Sequence, residues 1–139
     1  MARFFGRHEH SLDPKGRVIL PAKFRQSFER GAFLTKFRGR CLALWTTEAF
    51  EAQSKLMEEA QNGSRDERNL ARLWAAGTEE VDVDRQGRLA IAPYLREYAR
   101  LVDAVLVNGA MDRVELWNPE VWVEKVAAAE RRLTEEDDE

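Results

Sequence analysis

Cysteine is almost missing from this chain of 139 residues: Cys41 is the only one. That excludes an internal disulfide and a zinc site built from several cysteines. Histidine is scarce as well, with only His8 and His10 on either side of Glu9. On a strand both imidazoles would share one face, a candidate ligand pair for a metal. No third histidine or cysteine cluster completes such a site, and Asp13 is needed by a turn. A hydrolase lacks parts too. Cys41 opens the apolar run "CLALW", which reads as a buried strand with no base beside it. There is no Gly-x-Ser-x-Gly and no phosphate-cradling glycine loop. No apolar run approaches the ~20 residues that cross a bilayer. The opening "MARFFGRHEH" has no apolar stretch of the kind that marks secretion. The expectation is a cytosolic protein with no cofactor, no membrane partner, no small-molecule substrate and no enzymatic role.

Proline and glycine are few, at four and eight, while 44% of residues are hydrophobic and 34% charged. This composition and length suit one compact domain, or two small modules sharing a core. The net charge of −3 conceals an asymmetry. Residues 1–40 carry ten Lys and Arg against three Asp and Glu; residues 41–139 carry twelve against twenty-two. A basic first third on an acidic body points to a localised contact with a polyanion. Charge by itself favours the plainer reading of two solvated surfaces, because long basic stretches are common.

The chain repeats itself. "SLDPKGRVILPAKFR" ends at Arg25, and "EVDVDRQGRLAIAPYLR" ends at Arg96. Both hold Asp, two residues, Gly-Arg, an apolar run, Pro, and then an apolar residue followed by Arg. Downstream, "FLTKFRGRCLALWTTEAF" (33–50) aligns with "VLVNGAMDRVELWNPEVW" (105–122), pairing Trp45 with Trp117, Glu48 with Glu120 and Phe50 with Trp122. Two copies of one unit therefore span about 1–60 and 78–134, with a linker helix in 61–77. Residues 135–139, "EEDDE", have no apolar content and are expected to be disordered. One unit is small for a stable core, so the copies should complete each other.

Each unit reads strand, turn, strand, helix, strand, strand, helix. "RVIL" and "RLAIA" are short β-rich runs after a glycine turn. Pro21 and Pro93 end them and suit a first helical turn. "AFLTKF" with "CLALW", and "AVLVNGA" with "VELW", are strand pairs. "TTEAFEAQSKLMEEAQ" and "NPEVWVEKVAAAERRL" are helices, with Thr46 or Thr47 and Asn118 as N-caps and Pro119 at the first helical position. Asn62-Gly63-Ser64 is a turn, and Asp66 to Ala76 a helix closed by Gly77. Leu56, Met57, Trp117, Val121 and Trp122 read as core or subunit contact, and Trp74, beside Leu70, Ala71 and Leu73, as packed.

Gly16 and Gly87 can take the positive φ of a tight connection. Asp13 and Asp84 can accept hydrogen bonds from turn amides. Arg17 and Arg88 are left with two possible roles. Either each pairs with its own Asp and locks the turn, or it points outward to phosphates and guanine edges. Arg3, Arg7, Lys15, Lys23 and Arg25 surround the first copy; Arg85, Gln86, Arg88 and Arg96 stand at matching places in the second. A hairpin or strand pair is narrow enough for the ~12 Å major groove.

The paired Asp-x-x-Gly-Arg segments, "GRVILPAKFR" with "GRLAIAPYLR", and Leu-Trp in each half resemble the MraZ family of bacterial transcriptional regulators, from about Phe4 to Leu133. The resemblance implies an α+β fold: a β-rich double AbrB-like (SpoVT-AbrB) barrel of swapped-hairpin type, with peripheral helices and a pseudo-two-fold repeat. It also implies a ring-shaped homo-oligomer, with eight subunits as one candidate. Such a ring would bind double-stranded DNA at short G-rich direct repeats upstream of the division and cell-wall gene cluster, its own gene included, as a nucleoid-associated repressor. By position, the DNA-contacting motif falls on Asp13, Pro14, Lys15, Gly16 and Arg17, and again on Asp84, Arg85, Gln86, Gly87 and Arg88. Contact with DNA is implied for Lys15, Gly16, Arg17, Arg85, Gln86 and Arg88, and backbone-phosphate contact for Arg3. Asp13, Asp84 and Gly87 would shape the turns. Two other readings are an antitoxin-like interaction module of AbrB type and a structural ring without DNA. Against the first, there are two modules here, and the acidic tail is short. Against the second, the N-terminal third is basic.

Overall fold

The computed structural model describes residues 1–135. Among these, the strands are β1 (Arg7–Ser11), β2 (Arg17–Ile19), β3 (Ala32–Phe37), β4 (Cys41–Thr46), β5 (Glu79–Val81), β6 (Arg88–Ala90), β7 (Ala104–Gly109) and β8 (Val114–Trp117). The helices are α1 (Ala22–Arg25), α2 (Thr47–Ala60), α3 (Arg65–Ala76), α4 (Pro93–Tyr98) and α5 (Pro119–Thr134), with a 3-10 turn at Gln26–Phe28. The expectation of disorder over 135–139 falls, apart from Glu135, outside the described residues.

Six strands form one antiparallel sheet in the order β1-β7-β8-β4-β3-β5, and β2 pairs with β6 in a two-stranded ribbon. The two halves exchange strands. β1 of the first half lies on β7 of the second, from Arg7↔Asn108 to Ser11↔Ala104. β5 of the second half lies on β3 of the first, from Ala32↔Val81 to Leu34↔Glu79. The halves meet again at the centre, where Leu42 faces Leu116 and Leu44 faces Val114. This is the α+β, β-rich double module with peripheral helices that the resemblance implies.

At the centre of the sheet, in β4 and β8, both faces are covered, which explains why "CLALW" reads as a continuous apolar run rather than an alternation. On one face Leu34, Leu42, Leu44, Val105, Val107, Val114 and Leu116 pack against Val18, Leu20, Leu89 and Ile91 from the ribbon, and against Phe24, Phe28 and Leu95 from the short helices. Sheet and ribbon thus enclose the main core like a barrel. Each such side chain contributes roughly 1.5–3 kcal/mol on burial. Phe4 seals one end, stacked on Phe28 at 5.2 Å and edge-on to Phe24 at 5.3 Å. On the other face Cys41, Leu106 and Trp117 pack with Val121 of α5, and Ala43 and Trp45 with Ala49 of α2. Two of the indoles find acceptors here: Trp45 Nε1 donates to Thr35 Oγ1 and Trp117 Nε1 to Glu115 Oε1, each at 2.9 Å.

The caps follow the sequence. Thr46 Oγ1 accepts from the Ala49 amide, and Asn118 Oδ1 accepts from Glu120 and Val121, with Pro119 in the first turn. Ser64 and Glu67 form a reciprocal capping box at the start of α3, so that helix begins at Arg65. Gly77 closes α3, at φ −93°. Leu56 is 58% exposed, so of core and subunit contact it is not core. Leu70 and Leu73 are exposed as well, and Trp74 is packed by stacking on Phe50 at 5.3 Å.

Candidate nucleic-acid interface

The two Asp-x-x-Gly-Arg turns fold into near copies. In the first, the amides of Lys15 and Arg17 both donate to Asp13 Oδ1 at 2.9 Å, and Arg17 Nε donates to Asp13 Oδ2 at 2.7 Å. In the second, the amides of Gln86 and Arg88 donate to Asp84 Oδ1 at 2.9 and 2.8 Å, and Arg88 Nε to Asp84 Oδ2 at 2.7 Å. Gly16 and Gly87 sit at φ +73° and +81°, where an L side chain is strained. Their amides close the turns onto the Asp13 and Asp84 carbonyls at 3.0 and 2.9 Å.

These bonds hold the carboxyl of Asp13 below its ordinary range. The Arg17 amide is the largest cause; with the Arg17 guanidinium and the Lys15 amide it outweighs the opposing effect of desolvation. Asp84 is lowered in the same way, led by the Arg88 amide. Both acids are therefore ionised and consumed inside their own turns.

The ribbon sets the spacing. Arg17 faces Ala90, Val18 faces Leu89 and Ile19 faces Arg88, so the turns stand at opposite ends of one antiparallel ladder. Leu20 donates to the Gly87 carbonyl at 2.8 Å, and Ile91 to the Gly16 carbonyl at 3.1 Å. From Gly16 to Leu20 the ladder rises about 13 Å.

The residues singled out in the sequence fall into three groups. Lys15, Arg85 and Gln86 are exposed at the turn tips. Neither Lys15 nor Arg85 forms an ion pair among the described residues. Arg17 and Arg88 are half-buried and locked to Asp13 and Asp84, with Gly16 and Gly87 buried beneath. Arg3 stands apart. Its neighbour Phe4 pairs with Met111 beyond the Arg7 end of β1, whereas the Ser11 end leads into the first turn. The Arg3 guanidinium lies 5.7 Å from the centre of the Phe5 ring.

Two arginines were not singled out as site residues, although the repeated segment ends on them. Arg25 Nε donates to the Leu20 carbonyl at 2.9 Å, and Arg96 Nε to the Ile91 carbonyl at 3.0 Å. Each guanidinium crosses to the other half. A Cβ on Gly16 would fall 2.8 Å from Arg96 Cζ, and one on Gly87 would overlap the Arg25 guanidinium. Recurrence after Pro in both copies was the available signal.

His8 is used in packing, edge-on to Phe24 at 5.4 Å. Burial lowers its pKa, helped by Lys23 and His10. Among the described residues no three His, Cys, Asp or Glu side chains gather as a metal site, and no helix is long and apolar enough to cross a membrane.

The same unit appears when the chain is compared with known families. A family model described as "MraZ protein, putative antitoxin-like" matches residues 3–73 and again 74–139. The chain belongs to the MraZ family. Relatives named "Transcriptional regulator MraZ" cover nearly all of it. That of Nocardioides sp. is 40% identical over 98% of this chain and 94% of its own length. That of Paenarthrobacter aurescens is 38% identical over 98% and 95%. That of Caldanaerobacter subterraneus is 38% identical over 86% and 83%. The two matches to the MraZ model meet within α3, and each contains one Asp-x-x-Gly-Arg turn.

Proposed function

We propose that this chain is a transcriptional regulator that binds double-stranded DNA in a sequence-specific way and acts as a repressor. It is not an enzyme in this reading. The reading surface is the β2–β6 ribbon with its two turns. One observation carries it: in each turn the acid is spent on its own arginine, while Lys15 at one tip and Arg85 and Gln86 at the other point outward unpaired. The turns therefore offer net positive charge despite an acidic body. A two-stranded ribbon fits the ~12 Å major groove, where Arg and Lys find O6 and N7 of guanine, at about 1–3 kcal/mol of discrimination per good pair. Asp13 and Asp84 shape the loops, and Arg17 and Arg88 offer their outer nitrogens to phosphate. Arg3 is a peripheral phosphate contact in this scheme.

The operator is a set of short G-rich direct repeats upstream of the division and cell-wall gene cluster, including this chain's own promoter. The protein engages it as a ring homo-oligomer in the cytoplasm, at the nucleoid. One chain makes few contacts, and few neutralised phosphates give weak, salt-sensitive binding. A ring that repeats the ribbon multiplies affinity through effective concentration. Leu56, Leu70 and Leu73, each about three-fifths exposed on α2 and α3, support a further subunit contact.

The test is fluorescence anisotropy on the DNA upstream of the chain's own gene, beside a scrambled duplex, across a salt series, with wild type and Arg17→Ala. Tight binding to the native duplex that collapses in the variant is the expected result. Equal weak binding to both duplexes, unchanged by the substitution, would make the turns purely structural.

A further inference from the structure

The repeated segment ends on an arginine that the reading above does not use. Arg25 and Arg96 are half-buried, and neither has a carboxylate within ion-pair distance among the described residues. Each spends its Nε–H on a carbonyl of its own half, Leu20 or Ile91. Those same residues donate their amides to Gly87 and Gly16 in the other half. Leu20 is therefore bonded on one side to the second turn and on the other to the arginine lying over that turn. Ile91 stands in the same relation to the first turn. The glycines make this possible: any Cβ at 16 or 87 would occupy the guanidinium's place.

A guanidinium is a rigid planar fork, and a lysine cannot reproduce it. One nitrogen fixed to a carbonyl sets the plane of the whole group. That plane then rests on the peptide of a turn whose shape decides where Lys15 or Arg85 and Gln86 project.

We propose that Arg25 and Arg96 are positioning residues acting across the pseudo-two-fold: Arg96, from the second half, fixes the Asp13–Arg17 turn, and Arg25, from the first half, fixes the Asp84–Arg88 turn. Neither turn is then complete within its own half. The consequence for DNA rests on the function proposed above; the crossed support of the turns does not.

Two measurements on the full-length protein separate these. The first is hydrogen–deuterium exchange read by mass spectrometry on peptides covering residues 12–18 and 83–89, with no DNA present. Arg96→Ala accelerates exchange in 12–18 and leaves 83–89 unchanged; Arg25→Ala gives the mirror image. Acceleration in the same-half peptide, in both peptides or in neither overturns the proposal. Because each variant is the control for the other, general loosening of the fold cannot imitate the crossed pattern.

The second measurement is promoter affinity in double-substitution cycles. Lys15→Ala and Arg96→Ala each cost about tenfold in affinity. Combined, they cost less than the product of the two losses, because Arg96 acts through the projection of Lys15 that Lys15→Ala has already removed. Arg96→Ala with Arg85→Ala multiplies the losses. Arg96→Lys, which keeps the charge without the fork, behaves as Arg96→Ala does. Full rescue by Arg96→Lys would make Arg96 a direct phosphate contact and overturn its positioning role. A wild-type protein that ignores its promoter would defeat the DNA reading, while the exchange pattern still decides the crossed support.

Discussion

Arg17 and Asp13 are joined twice: guanidinium to carboxylate at 2.7 Å, and the arginine's own amide to the other carboxylate oxygen at 2.9 Å. The arginine is thus part of the turn that presents it. Lys15, two residues away, lends only its backbone amide to that turn and leaves its ammonium at the surface.

This difference separates two substitutions. Lys15→Ala lowers promoter affinity about tenfold and relaxes discrimination at the guanine it reads. Its thermal midpoint stays at that of wild type. Arg17→Ala lowers affinity and midpoint together. Anisotropy with scanning calorimetry on the same preparations checks this; a lowered midpoint in Lys15→Ala would contradict the assignment.

The paired carboxylates also fix a pH dependence. Asp13 and Asp84 have folded pKa values below those of the unfolded chain. The unfolded state therefore binds more protons, and stability rises with pH across this range. Their contribution is fully present above the ordinary Asp value of about 4 and disappears as pH falls through the depressed folded values. Thermal midpoints measured from pH 7 to pH 3 should fall less steeply in Asp13→Asn/Asp84→Asn than in wild type. Parallel curves would mean that the turns carry no linked protons.

The N-terminal segment is held backbone to backbone. Phe4 and Met111 exchange hydrogen bonds at 2.7 and 2.8 Å, and Gly109 donates to the Gly6 carbonyl at 2.8 Å. A Cβ on Gly109 would overlap the main chain of Phe4 and Phe5, which cannot swing aside as a side chain can. Gly109→Ala should detach this segment and uncover the core at Phe4. Phe4→Ala, at a position 1% exposed, stacked on Phe28 and edge-on to Phe24, should cost about 3–5 kcal/mol in urea unfolding at fixed protein concentration.

Cys41 is fully buried at the start of β4. Burial raises its thiol pKa well above the usual range, and Glu115 adds to the shift. With so little thiolate it should be inert. A disulfide-exchange reagent at pH 8 should find no reactive thiol in the native protein and one per chain in denaturant. Rapid native labelling would place Cys41 elsewhere.

Much of this was legible in the sequence because local chemistry decides it. Gly16 and Gly87 were readable as positive-φ positions, and Thr46, Asn118 and Pro119 as helix starts, from residue type and spacing. What was not legible depends on pairing between distant segments. Periodicity shows that Arg7–Ser11 and Glu79–Val81 can be strands, but not that each lies on the opposite half. Leu56, Leu70 and Leu73 have helical spacing, yet α2 and α3 turn them outward, and spacing alone cannot say what covers a stripe. Arg25 and Arg96 were visible as repeats. Their reach across the ribbon follows from its register, which three-residue strands do not encode by themselves.

The tips of the two turns differ: Pro14-Lys15 on one, Arg85-Gln86 on the other. A dimer of identical modules would look the same from either end and would match a palindrome. Here a single peptide ties two unlike tips to the ends of one ribbon, in fixed order and always in equal number. The ribbon therefore has a head and a tail, so the DNA-binding role proposed above would let it tell a duplex from the same duplex turned around.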